Sequence, residues 1–172
     1  MYKLPIFLLI DTSGSMQGSS IFAQSNSIDV LVEDLSAEYD LEPWVSVLTY
    51  NTYSKVHQKL LPLDELTLPP VVAGQGSSDL GHALCVVKDY TETVVRITRQ
   101  GDEAWLKPQL FIFSDGLLGN TFDDEHWSAL DAIYSKVIFC AESIPNFRFH
   151  EHVVPLSFSQ IRGGCFTPYF RS

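Results

Sequence analysis

Leu4-Pro5-Ile6-Phe7-Leu8-Leu9-Ile10-Asp11-Thr12-Ser13-Gly14-Ser15 is the stretch that decides the fold. Leu4 to Ile10 is a near-continuous apolar run, the pattern of a strand covered on both faces in the middle of a parallel sheet. The run stops abruptly at a carboxylate and a series of hydroxyls. Oxygens at positions 11, 13 and 15 alternate along the chain, and a loop at a strand end can turn them toward one hard divalent cation.

Working outward, apolar runs and helical stripes alternate. Residues 19–38 carry a helical period, with Phe22, Ile28, Leu31, Val32 and Leu35 on one stripe. Trp44 to Tyr50 reads as a strand, and residues 54–61 as an edge strand returning beside it through a turn at Asn51 and Thr52. Leu63 to Ser78, rich in Pro and Gly, is a long loop. A second stripe runs through Leu80, Ala83, Leu84, Val87, Thr91, Val94 and Val95. Gly101 to Lys107 is a polar loop, and Gln109 to Ser114 a buried strand ending at Asp115-Gly116. Thr121 opens a helix reaching about Tyr134, with acids favoured by the helix dipole in its first turn. Lys136 to Ala141 and Val153 to Pro155 complete the strands. The tail, 159–172, is broken by Gly163-Gly164 and Pro168 and reads as irregular.

This order predicts an α/β, Rossmann-like, three-layer domain spanning 1–172. It has a mainly parallel central sheet, one antiparallel edge strand and helices on both faces. Such sheets bind ligands beyond the carboxyl ends of their strands. Asp11, Ser13, Ser15 and Asp115 all follow strand ends.

Composition narrows the function. A net charge of −10 and the absence of any Lys/Arg cluster exclude a phosphate-backbone partner such as nucleic acid. No stretch approaches the roughly 20 apolar residues of a membrane span. Cys85, Cys140 and Cys165 are odd in number and widely spaced, and two lie in apolar runs. They read as buried, reduced thiols, which fits a cytoplasmic location.

Three segments carry the chemistry: Asp11 to Ser15, Gly76-Ser77-Ser78-Asp79-Leu80-Gly81, and Ser114-Asp115-Gly116. Their carboxylates and hydroxyls match a small hard cation, which wants about six oxygens and keeps waters among them. Mg²⁺ or Mn²⁺ fits better than Zn²⁺, which would draw on Cys and His. Neutral hydroxyl ligands leave the ion Lewis-acidic, so an anionic oxygen from outside would fill an open position. That is a docking device rather than a hydrolytic one.

Residues 6–16 resemble the start of a von Willebrand factor A (VWA) domain. Asp11, Ser13 and Ser15 match its Asp-x-Ser-x-Ser motif, Ser78-Asp79-Leu80-Gly81-His82-Ala83-Leu84 its Thr-x-Leu-Gly-x-Ala-Leu motif, and Asp115-Gly116 its third. Among VWA proteins the opening is most similar to small bacterial tellurite-resistance-type members. The resemblance implies a metal-ion-dependent adhesion site. Ser13, Ser15 and Ser78 would bind the metal directly, and Asp11 and Asp115 largely through water. A partner protein would supply an Asp or Glu, within a bacterial stress-response assembly and without catalysis. The chain departs from the family pattern at Ser78, where Thr is usual and the β-branch stiffens the ligand. It departs again at Ser77, where Gly is common, and at Leu117-Leu118 after the third motif.

Other readings are weaker. A haloacid-dehalogenase-type phosphotransferase also begins with Asp at a first strand end, but it needs a second Asp at position 13 and a basic group to steady phosphoryl charge. Asp11 to Ser15 alone could be a turn and a helix cap. His82 reads as a helix-surface or packed histidine rather than a ligand, and His150, His152 and Cys165 as a poor zinc set. Trp105, Trp127, Phe166 and Phe170 read as core or tail packing.

Overall fold

The computed structural model describes residues 1–16, 18–69, 76, 79–98, 100, 101, 104–114, 124–142 and 153–171. Strands β1 (Tyr2–Asp11), β2 (Leu41–Tyr50), β3 (Ser54–Pro62), β4 (Gln109–Ser114), β5 (Lys136–Ala141) and β6 (Val153–Ser157) form one sheet in the order β3-β2-β1-β4-β5-β6. Every pairing is parallel except β2 with β3, which is antiparallel and places β3 at the edge. Helices α1 (Ser19–Ser36), α2 (Leu80–Thr98) and α3 (Asp124–Asp131) cover the two faces. This is the predicted architecture, with β2 starting three residues earlier than Trp44.

Pro43 and Pro5 explain how β2 and β1 tolerate proline. Pro5 pairs with Trp44, but β1 does not meet β4 until Ile6. Pro43 pairs with Leu4, beyond the last β2–β3 pair at Trp44. Each proline sits where its strand has one neighbour instead of two, so the missing N–H costs least there.

Alternation along β1 sorts the core into two layers. Phe7 and Leu9 pack with Leu84 and Val87 of α2 and with Trp127 and Leu130 of α3. Leu4, Ile6, Leu8 and Ile10 pack on the other face with Ile28, Leu31 and Leu35 of α1. The α2 layer holds a buried polar pair: the hydroxyls of Thr91 and Tyr134 lie 2.6 Å apart, and burial holds the Tyr134 phenol above its usual range.

The tail finishes the α1 layer. Phe166 and Phe170 are buried, with ring centroids 5.7 and 6.4 Å from that of Phe111. The Gln109 Nε2 amide donates to the Tyr169 carbonyl at 2.8 Å. Asp34 of α1 receives the Gly164 N–H on one carboxylate oxygen at 2.8 Å and the Phe166 N–H on the other at 3.0 Å. Arg171 then pairs with Glu38 and Asp40. The tail lacks a regular helix, yet it is fixed by aromatic burial and by one doubly used carboxylate.

Some expectations need correction. Phe22 is exposed rather than on the buried stripe of α1. The buried stripe is Ser20, Gln24, Ser27, Ile28, Leu31, Asp34 and Leu35, a series at steps of three and four residues that Phe22 misses by most of half a turn. Cys85 is exposed, because α2 turns Ala83, Leu84 and Val87 to the sheet and leaves position 85 outside. Cys140 is buried and Cys165 half-buried, and burial pushes both thiols up in pKa. All three cysteines are free thiols. Within Gly101–Lys107, Trp105 bridges to Lys3, whose ammonium lies 4.7 Å from the Trp44 ring centroid and 5.1 Å from that of Trp105. Among the described residues, no helix is long and apolar enough to cross a membrane.

Candidate metal centre

The strand order reverses between β1 and β4, so these two strands bound the crevice where such sheets bind ligands. Asp11 is the last residue of β1 and Ser114 the last of β4, and both are buried. The register brings them side by side, one step beyond the Ile10–Phe113 pair. The first and third motifs therefore leave the sheet from adjacent strands.

Asp11 is 1% exposed, and Ser13, two residues on, is wholly buried. Asp11 Oδ1 accepts the Ser13 N–H at 2.8 Å, which folds the chain back immediately after the strand. Gly14 to Met16 then make one 3₁₀ turn. Helix α1 begins after Gly18, whose φ is +78°, and has no side-chain cap. The Asp11 carboxylate and the Ser13 hydroxyl are therefore not spent on capping α1. Of the plain alternative for this stretch, a turn and a helix cap, the turn is present and the cap on α1 is not.

Thr12 faces away from this cluster. Its N–H and hydroxyl both donate to the Tyr50 carbonyl, at 2.8 and 3.1 Å, and its Oγ1 accepts from Asn51 Nδ2 at 3.4 Å. These bonds pin the first loop to the end of β2. Gln24 of α1 adds a brace from the other side, its Nε2 donating to the Asp11 carbonyl at 2.9 Å. Ser20 of α1 donates to Glu142 just beyond β5.

The second segment meets the first through one backbone bond: Gly14 N–H donates to the Gly76 carbonyl at 3.0 Å. Gly76 has φ +82°, and a Cβ placed on it would lie 2.6 Å from Thr52 Oγ1. Glycine is required here on both counts. Asp79 opens α2 as its cap, receiving the His82 N–H on Oδ1 at 3.0 Å, and His82 is exposed on the helix surface as expected.

Of the five predicted ligands, the structure brings Asp11 and Ser13 together and carries Ser15 on the same 3₁₀ turn, with only its backbone described. Ser78 and Asp115 lie outside the described residues, two past Gly76 and one past Ser114. His150 and His152 lie outside them as well. Among the described residues, no three His, Cys, Asp or Glu side chains come together as a metal cluster. The donor set at this strand end is instead one carboxylate and neutral hydroxyls, chemistry that suits an oxygen-seeking cation. Sequence reasoning missed Gln24, Asn51, Thr52 and Gly76. All four act by contacts between distant segments, which no local pattern encodes.

Comparison with solved structures settles what the architecture is. The chain superposes on a von Willebrand factor type A protein from Catenulispora acidiphila with TM-score 0.53 at 13% identity, over 83% of this chain and 34% of that one. The fold is that of a VWA domain. The conserved hypothetical protein BatB from Bacteroides thetaiotaomicron matches with TM-score 0.53 at 15% identity, over 80% of this chain and 66% of that one. Proximal thread matrix protein 1 of the mussel byssus matches with TM-score 0.60 at 17% identity, over 92% of this chain and 45% of that one. The chain thus spans between a third and two thirds of the length of these VWA-fold neighbours. No family model and no curated protein sequence matches it.

Proposed function

We propose that this VWA-fold chain is a metal-dependent protein-binding module. Asp11, Ser13, Ser15, Ser78 and Asp115 would hold Mg²⁺ or Mn²⁺, and a partner protein would supply an Asp or Glu. The observation that carries this reading is the buried Asp11–Ser13 pair at the strand-order switch, with the Gly14–Gly76 bond drawing the second motif toward it. When bound, the cation supplies an electrophilic centre for a carboxylate oxygen. The chain's part is positional. Asp11 turns Ser13 back over the strand end, Thr12 and Gln24 fix that turn from two sides, and Gly76 lets the second loop approach.

A binding role is favoured over catalysis. Position 13 is Ser, not the second Asp of a haloacid-dehalogenase-type enzyme, and the structural neighbours belong to the VWA fold. The opening sequence adds a finer proposal: a place in a bacterial stress-response assembly of the tellurite-resistance type, in the cytoplasm.

The test is metal uptake. At a hundredfold excess of Mg²⁺ over its Kd, a ligand that binds only the folded state stabilises by about 2.7 kcal/mol. For a chain of this size that is a rise of roughly 5–10 °C in Tm. Asp11→Ala should abolish the rise. An unchanged Tm in wild type at millimolar Mg²⁺ and Mn²⁺ would overturn the reading.

A further inference from the structure

A groove of about 810 Å³ runs between the last turns of α1, the start of β2 and the 3₁₀ segment after β3. It lies near the first residues of β2, at the opposite end of the sheet from Asp11, and shares no residue with the proposed metal set. Its floor is apolar. Val32, Leu35, Leu63, Leu66 and Leu68 line it, and all five pack into the α1 core layer. Leu35 is buried, and the other four keep part of their surface exposed.

One wall of the groove is fixed by hydrogen bonds. The Leu66 N–H donates to the Leu63 carbonyl at 3.1 Å, and the Thr67 N–H donates to Gln58 Oε1. Gln58 is buried, and its Nε2 donates to the Val45 carbonyl at 3.1 Å. A buried amide thus ties the 3₁₀ wall to β2. A wall held before binding loses little ordering entropy when a partner arrives.

Charge on the rim has one sign. Glu38, Glu42, Asp64 and Glu65 line the groove, and among the described residues no Lys, Arg or His does. Glu38 is taken by Arg171, and Glu42 accepts the Trp44 Nε1–H at 3.3 Å. Asp64 and Glu65 are exposed and make no ion pair among the described residues.

Floor and rim together select the occupant. A purely apolar segment would cover the floor and draw the Asp64 and Glu65 carboxylates out of water unpaired. An acidic surface would be repelled. A free polyamine or metal ion would pair the acids and leave the floor wet. A second copy of this chain brings a net charge of −10 and no Lys/Arg cluster. An apolar segment that also bears Lys or Arg meets both needs.

We propose that this groove is a docking site for a basic amphipathic segment of a protein partner. The apolar residues of that segment would lie on Leu35, Leu63 and Leu66, and its cations would face Asp64 and Glu65. The site is a second one, at the far end of the sheet from the strand-end site, and it does not depend on the metal.

The probe is a Leu/Lys peptide with helical amphipathic spacing, titrated into the full chain and followed by methyl resonances. Two references differ by one property each: Glu replaces Lys in one, and Gln replaces Leu in the other. The Leu/Lys peptide should shift the methyls of Leu35, Leu63, Leu66 and Leu68. It should bind at least tenfold tighter than the Leu/Glu peptide and at least fivefold tighter than the Gln/Lys peptide. Asp64→Asn with Glu65→Gln should weaken it at least threefold. Asp89→Asn with Glu92→Gln removes the same charge from the exposed side of α2 and should leave it within twofold. Equal loss in the two double variants would reduce the effect to net charge and overturn the site. Equal affinity for the Gln/Lys peptide, or shifts confined to other surfaces, would overturn it as well. So would groove shifts that grow with protein concentration alone, because a second copy would then be the occupant. The titration is run with and without Mg²⁺. Selective peptide binding with no metal uptake would remove the metal reading alone, and metal uptake without peptide selectivity would remove the groove alone.

Discussion

Of the polar side chains that interrupt the buried stripe of α1, Gln24 near its start and Asp34 near its end are treated in opposite ways. Asp34 is saturated: both oxygens take backbone N–H groups of the tail, and Phe166 closes over that end. Gln24 gives its amide N–H to Asp11, keeps an unmet oxygen, and borders an open cavity. One helix face is thus sealed at the end remote from the strand-end site and left chemically incomplete at the end beside it. Most buried polar groups have at least one partner. Gln109 beside the tail is half used in the same way as Gln24, its Nε2 on the Tyr169 carbonyl and its Oε1 unmet, so the contrast within α1 is between Gln24 and Asp34 and not between two ends of the molecule.

The largest effect should come from breaking the sealed end. Phe166→Ala removes a fully buried ring from the Phe111 contact and should cost about 3–5 kcal/mol in denaturant unfolding. Asp34→Ala strands two backbone donors and should cost about 3 kcal/mol. A cost under about 1 kcal/mol would show that the tail is not held as described. Neither change should alter metal affinity, since both act far from Asp11.

At the open end the effects should be smaller in stability and larger in binding. Gly76→Ala meets both a φ of +82° and the Thr52 hydroxyl, and should cost about 1–2 kcal/mol. By moving the loop bonded to Gly14 it should also weaken Mg²⁺ uptake, read as a reduced Tm shift. The smallest change is Gln24→Leu. It loses one hydrogen bond to Asp11 and removes one unmet acceptor, so unfolding free energy should stay within about 1 kcal/mol of wild type. A loss as large as that of Asp34→Ala would mean that Gln24 is as structural as its counterpart, and the comparison would fail.

The contrast also shows what the sequence could reveal. Strands β1, β4 and β5 were legible because continuous apolar runs ended in turn-forming polar residues, and their order then located the binding edge. Asp11, Ser13 and Ser15 stood out by spacing. The stripe of α1 was misread at Phe22 because hydrophobicity alone cannot register Gln24, Ser27 and Asp34 as buried. Ser27 is satisfied one turn back at the Ala23 carbonyl, whereas Gln24 and Asp34 depend on partners outside the helix: the Asp11 carbonyl for Gln24, and Gly164 and Phe166 for Asp34. The tail looked irregular for the same reason. Its order comes from Phe111, Gln109 and Asp34, more than 50 residues away in sequence. Cys85 was misplaced because an apolar run in a helix still turns one residue in four outward.

The central claim is that the strand-end oxygens take up a small divalent cation. Isothermal calorimetry of Mg²⁺ and Mn²⁺ into wild type and Asp11→Ala tests it most directly. One saturable site at millimolar or lower concentration in wild type, absent in Asp11→Ala while Asp34→Asn retains it, is the predicted result. No heat of binding in wild type, or equal binding in the Asp11 variant, would contradict it.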